Sequence, residues 1–147
     1  MCLLVDANIC GDFFNRRGAF SIAFDWVHEK GCLVYGGQLK KELEQNPMAE
    51  RILTVWYQSG HAYREDDEAI SIKAKQIRNS CCSTDPHILA VAILSKSRLL
   101  CTNDGNLIKD FTGNRIITNP KGKIFRYSSH RHLLKNVQPC RWKKKKS

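Results

Sequence analysis

The chain has 147 residues, 42% of them hydrophobic and 26% charged, with a formal net charge of +10. That length suits one domain with a core of its own, and the apolar fraction is that of a globular protein. No run approaches the roughly 20 apolar residues of a membrane-spanning helix, and no basic-then-apolar leader is read at the N-terminus, so a cytoplasmic location is expected.

The first predicted element is a short apolar strand, Cys2 to Val5, that runs into Asp6. Phe20, Ile22, Ala23, Trp26 and Val27 then form a helical stripe, closed by Gly31. "CLVYGG" reads as a second strand stopped by Gly36 and Gly37, followed by a helix with Leu39 and Leu43 one turn apart. "NPMAERILTVWYQSG" reads as a helix with Asn46 as N-cap and Pro47 at the first helical position. The next helix starts in "REDDEA" and runs to about Arg78; its acids, Glu65 to Glu68, read as a solvated start favoured by the helix dipole.

"STDPHILAVAILSKS" is the clearest helix. Pro86 opens it, Asp85 is its N-cap, and the apolar residues from Ile88 to Leu94 leave hardly any polar face, so the helix is expected to be buried. "RLLCT" is a strand, "GNLIKDF" a short helix, "RIIT" a last parallel strand, and "KIFRY" an edge strand. "HRHLLKN" suggests a short terminal helix, and the tail after Pro139 reads as disordered. Alternating strands and helices predict an α/β fold, three layers α/β/α around a parallel sheet of four to five strands.

The seven cysteines are odd in number and include no C-x-x-C pair. They read mostly as small buried hydrophobes. A zinc site from His130, His132 and Cys140 has poor spacing. The charge is uneven along the chain. All 14 acids lie at or before Asp110, with 13 of the 24 basic residues; the other 11 lie from Arg115 onward with no acid among them. Such an end is built for a polyanion, nucleic acid first and an acidic protein second.

Sites in open parallel sheets form outside the carboxyl ends of the strands. Asp6 and Asp104 sit at two such ends, Asp85 starts the buried helix before the strand of Asp104, and Glu42 lies on the helix after the second strand. Four acids from separate segments are thus expected on one rim. Carboxylates crowded together raise one another's pKa, and a divalent cation relieves this. All-oxygen ligands suit Mg²⁺ or Mn²⁺, which act on phosphates. Beside a basic tail, the set reads as a nuclease. Singly each acid is ordinary: a turn, a cap or a solvated helix residue. Asn8 either hydrogen-bonds Asp6 or makes an Asx turn. Thr102 either holds Asp104 or simply favours the strand. Asp110 reads as a surface residue before a ligand, and His87 as a helix surface residue before a base.

"LLVDANI", "GGQLKKELEQ", "STDPHILAVAI" and "LLCTNDGNLIKDF" occur in that order and resemble the four signatures of PIN-domain ribonucleases, which include toxins of bacterial toxin–antitoxin pairs. The resemblance covers about residues 2–118. It implies that Asp6, Glu42, Asp85 and Asp104 are the catalytic acids, with Asp6, Asp85 and Asp104 holding Mg²⁺ or Mn²⁺ and Asn8 and Thr102 supporting them. It implies endoribonuclease activity on RNA by a metal-activated water, a homodimer and an antitoxin partner. On this reading residues 1–128 are the nuclease domain. Residues 129–147 are a basic extension, longer and more basic than such toxins carry, in which Arg131, Arg141, Lys143, Lys144, Lys145 and Lys146 would bind RNA. Two other readings are a nucleic-acid-binding domain without cleavage and a phosphoacceptor domain; the second lacks a suitably placed acidic pair with a lysine.

Overall fold

The structure is a computed structural model that describes residues 2–134. Five parallel strands form its centre: β1 (Cys2–Val5), β2 (Cys32–Tyr35), β3 (Ala62–Arg64), β4 (Leu99–Cys101) and β5 (Lys123–Ile124), in the order β3-β2-β1-β4-β5. β1, β2 and β4 are wholly buried, as expected of strands covered on both faces. The helices are α1 (Cys10–Phe14), α2 (Phe20–Glu29), α3 (Gly37–Glu44), α4 (Pro47–Ser59), α5 (Asp67–Ile77), α6 (Pro86–Ser95) and α7 (Gly105–Thr112). They flank the sheet, in agreement with the predicted three-layer α/β/α class. No helix among the described residues is long and apolar enough to cross a membrane.

The order sets the geometry of the rim. The chain builds outward from β1 through β2 to β3, then returns to place β4 on the other side of β1. The strand order therefore reverses between β1 and β4, and sites in open α/β sheets form outside the carboxyl ends of the strands at such a reversal. α1, α2 and α4 share an aromatic cluster of Phe13, Phe14, Phe24 and Trp56, with ring centroids 5.0–6.5 Å apart. α6 packs chiefly under α5 and also touches α3 and β2. That cover explains why Ile88 to Ala92 are all buried and why α6 has so little polar face.

Local chemistry sets several boundaries as read. Asn46 caps α4, its side chain accepting from the amides of Met48 and Ala49, and Pro47 occupies the first turn. Three expectations fail. "RIIT" is not a strand. The carbonyls of Thr118 and Pro120 accept from the buried Arg98 guanidinium, which also reaches the carbonyls of Ala92 and Ser97. The segment is thereby pinned as an irregular turn, and the fifth strand forms later, in "KIFRY". β3 has no counterpart in the sequence reading; it is three residues long with only Ala62 buried. The acidic start of α5 is not uniformly solvated: Asp66 caps the helix through Ala69, but Glu65 is buried. Of "HRHLLKN", His130–Leu133 belong to a 3₁₀ helix, Ser128–Leu133, and the last two residues of that stretch lie outside the described ones.

The turn from β2 into α3 fixes where α3 begins. Gly36 has φ +151° and Gly37 φ +53°. A Cβ on Gly36 would stand 2.8 Å from the Glu65 carbonyl oxygen and from the Ile70 side chain. Glycine is therefore required on both conformational and steric grounds. Gly36→Ala is expected to cost about 1–3 kcal/mol, the scale of backbone strain at a glycine-only position. Urea unfolding of the two proteins checks this; an unchanged midpoint would contradict it.

Candidate functional site

Asp6 follows the last residue of β1, and its amide donates to the Cys101 carbonyl at 3.0 Å. The backbone is thus still tied to β4 where the side chain departs, so the carboxylate stands beyond the ends of β1 and β4, at the reversal of strand order. Asp6 is only 4% exposed. The Thr102 hydroxyl donates to its Oδ2 at 2.7 Å, and the Asn8 amide approaches Oδ1 at 3.5 Å. Of the two readings of Asn8, the Asx-type turn is the one formed: the backbone makes the contact. Thr102 also accepts from the Asp104 amide at 3.1 Å. One buried hydroxyl therefore orients the Asp6 carboxylate and the backbone of Asp104 together.

Asp104 is the N-cap of α7. Its Oδ1 accepts from the amides of Asn106 and Leu107 at 2.9 and 3.2 Å, which leaves Oδ2 without a hydrogen bond among the described residues. Asp85 stands at the N-cap position of α6, but its carboxylate makes no capping bond, contrary to expectation. The backbone is held instead: the Asp85 amide donates to Ser83 Oγ at 3.0 Å. The amides of Cys82 and Ser83 in turn donate to the two oxygens of Asp110 at 3.0 and 2.8 Å. Asp110 is thus neither a surface residue nor an available ligand. It is 3% exposed, and it ties α7 to the loop that carries Asp85. The carboxylate of Asp85, one oxygen of Asp104 and the weakly bonded Oδ1 of Asp6 remain as acceptors.

Charge links these three acids. Burial raises the Asp6 carboxyl above its ordinary value; the Thr102 and Asn8 hydrogen bonds oppose the shift, and the like charges of Asp85 and Asp104 add to it. Glu42 stands to one side on α3. Its Oε1 accepts from Gln38 Nε2 at 3.0 Å and lies 3.8 Å from His87 Nε2 on α6. His87 is accordingly not a free surface residue; it joins Glu42 to the helix of Asp85. Neither Gln38 nor His87 was singled out with Glu42 in the sequence, although the Gln38–Glu42 spacing of four is a helical pairing signal.

The convergence is looser than a closed cage. Among the described residues, no three His, Cys, Asp or Glu side chains gather closely enough to hold a metal ion by themselves. The donor chemistry nevertheless fits a hard cation. All available donors are carboxylate oxygens, and Mg²⁺ keeps several waters while taking one or two carboxylates directly.

A cavity of about 610 Å³ includes Asp85 and His87 in its wall. The predicted RNA-binding residues do not join it. Arg131 is exposed and lines a separate cavity of about 300 Å³ against α2, with Asp25 and Glu29. Arg141, Lys143, Lys144, Lys145 and Lys146 lie outside the described residues, as does Cys140. His130 Nδ1 accepts from the amides of Arg126 and Tyr127. No protein family, no curated protein and no solved structure matches the chain.

Two outcomes follow from this geometry. A folded-state carboxyl raised above its unfolded value favours the protonated form, so its contribution to stability is present below the unfolded pKa and is lost as pH rises through the folded one. Asp6→Asn keeps an oxygen for Thr102 and removes the crowded charge. In EDTA at neutral pH it is expected to melt a few degrees above the parent, and the gain should shrink as pH falls into the ordinary carboxylate range. Melting curves from pH 4 to 8 check the sign; a lower melting temperature at neutral pH contradicts it. Asp110→Asn loses one of two charge-assisted acceptors for buried amides, and is expected to destabilise by about 1–3 kcal/mol. Denaturant titration reads that loss.

Proposed function

We propose that the chain is a divalent-metal-dependent endoribonuclease. The observation that carries this reading is the buried Asp6 carboxylate at the reversal of strand order, under the like charges of Asp85 and Asp104 and oriented by Thr102. Among the described residues no basic side chain forms an ion pair with Asp6, and an all-oxygen set suits a hard cation.

Asp6, Asp85 and Asp104 would hold the ion, through the oxygens that their own hydrogen bonds leave available. Bound there, Mg²⁺ or Mn²⁺ supplies neutralising charge for a phosphodiester and lowers the pKa of a water. Thr102 fixes the Asp6 rotamer and the start of α7, so that two acids keep their relation as substrate arrives. Glu42, steadied by Gln38, would orient the attacking water from the α3 side. In-line attack on the phosphodiester would leave a 3′-hydroxyl and a 5′-phosphate.

One observation favours a second reading, nucleic-acid binding without cleavage: among the described residues, no three candidate ligands close into a cage. The two readings separate in one experiment. Total RNA incubated with Mn²⁺ or Mg²⁺ is expected to be cut, and EDTA to stop it. Asp6→Asn, Asp85→Asn and Asp104→Asn should each abolish cutting. Thr102→Val, which removes only an orienting hydroxyl, should cost about 10–100-fold. Cleavage at full rate in EDTA overturns the proposal. RNA bound but uncut in the presence of Mn²⁺ establishes the second reading instead.

A further inference from the structure

A rim of carboxylates repels the phosphates it is meant to act on, so something beside it must attract them. The predicted tail residues do not do this within the described structure, since Arg131 lies against α2. The 610 Å³ cavity does contain suitable groups. It runs between α3, α5 and the start of α6, and reaches the rim at Asp85. Its cations are Lys41 on α3, Lys75 on α5 and Arg78 just beyond the end of α5. All three are exposed, and none of their side chains makes an ion pair among the described residues.

The arrangement is directional. Lys75 and Arg78 are three residues apart, the spacing that puts two side chains on one helix face. Gln38 and Lys41 repeat that spacing on α3, across the cleft. Among the described residues, two acids line it. Asp67 is already neutralised, by Arg64 at 2.8 Å and the Gly37 amide at 2.9 Å, and its carboxyl is held below the ordinary value, first by the Gly37 bond. The other is Asp85. The cleft is thus a cationic surface whose one uncompensated negative charge sits at the end that meets the acids.

We infer that this cleft is the track along which a single-stranded RNA segment reaches the acids, with Lys41, Lys75 and Arg78 as its phosphate contacts. A volume of about 610 Å³ is that of a drug-sized ligand site; it admits a short stretch of single strand and not a duplex. The cations are solvent-facing and separately placed, which suits successive phosphates along a backbone. Gln38, Ser71 and Thr84 add neutral donors between them. The assignment rests on the nuclease reading, and the test is arranged so that the two can fail separately.

The full chain carrying Asp104→Asn, which spares the RNA and lies outside the cleft, is compared with the same protein carrying Lys41→Gln, Lys75→Gln and Arg78→Gln. The probe is a fluorescein-labelled 12-nucleotide oligouridylate, with affinity read by anisotropy across a salt series. Three single-strand phosphate contacts correspond to a slope of about 2.1 in log affinity against log salt, and to a loss of about 100-fold at 0.1 M salt. A charge-matched triple, Lys30→Gln, Arg51→Gln and Lys121→Gln, is expected to leave the slope nearly unchanged. Equal slopes in the cleft triple and its parent overturn the inference. So does an equal fall in both triples, which would reflect net charge alone. A duplex of the same length bound as tightly as the single strand, or a polyglutamate bound in preference to either, also overturns it. The parallel assay is cutting by the wild-type chain in Mn²⁺. Cutting with an unchanged cleft slope defeats the track and leaves the nuclease standing. A cleft-specific slope change without cutting defeats the nuclease and leaves a nucleic-acid track.

Discussion

The candidate site depends on a single hydrogen bond, from the Thr102 hydroxyl to Asp6 Oδ2. A carboxylate at the end of a buried parallel strand has lost most of its water, and two more acids bear on it. Left alone it would turn away from them or take up a proton. The 2.7 Å bond from a wholly buried threonine lowers the cost of keeping it charged and fixes which way it faces. Because the same hydroxyl accepts from the Asp104 amide, the orientation of one acid and the backbone position of another are not independent. Crowding of this kind costs stability unless a countercharge relieves it.

The second support is α7. This helix begins with Asp104 as its cap and carries Asp110 two turns along. At its start it presents an acid to the rim; further along it grips the loop before α6 by two amides. The loop in turn sets Asp85 through Ser83. Two of the proposed ligands are therefore tied to one short helix, Asp104 as its cap and Asp85 through the loop that Asp110 holds. Arg115 reinforces the same joint by donating to the Ser80 carbonyl at 2.8 Å. A loop alone would leave Asp85 free to drift; a buried carboxylate bonded to consecutive amides does not.

How much of this was legible in the sequence follows from what kind of interaction carries each part. Cys2–Val5, Cys32–Tyr35 and Leu99–Cys101 are continuous apolar runs because both sheet faces are covered, so three strands and the acids at the ends of two of them could be read directly. The start of α4 was equally plain, because Asn46 and Pro47 act locally. β3 was invisible, since a three-residue edge strand with one buried side chain has no pattern. "RIIT" has strand composition but no strand, because Arg98, distant in sequence, binds the Thr118 carbonyl at its end and the Pro120 carbonyl just beyond it. The burial of Asp110 and the pairing of Glu42 with His87 depend on how α3, α6 and α7 lie against one another. Nothing in one stretch of sequence encodes that.

Composition alone points to the C-terminal end of the chain for the attraction of a polyanion, and the residues that carry most of that charge lie outside the described ones. The excess of positive charge is concentrated after Asp110, and counting residues favours the tail. Contact with a substrate depends instead on which cations are uncommitted and near the acids. Lys40 is paired with Glu44, Arg64 with Asp67, and Arg16 with Asp25, so these contribute little field of their own. Lys41 is the immediate neighbour of one of these paired residues, yet on a helix the next position points elsewhere, here into the cleft. Three uncommitted charges in the cleft that Asp85 lines act over about a Debye length, some 8 Å at physiological salt. Proximity and pairing, more than net charge, decide where a phosphate backbone would settle on this fold.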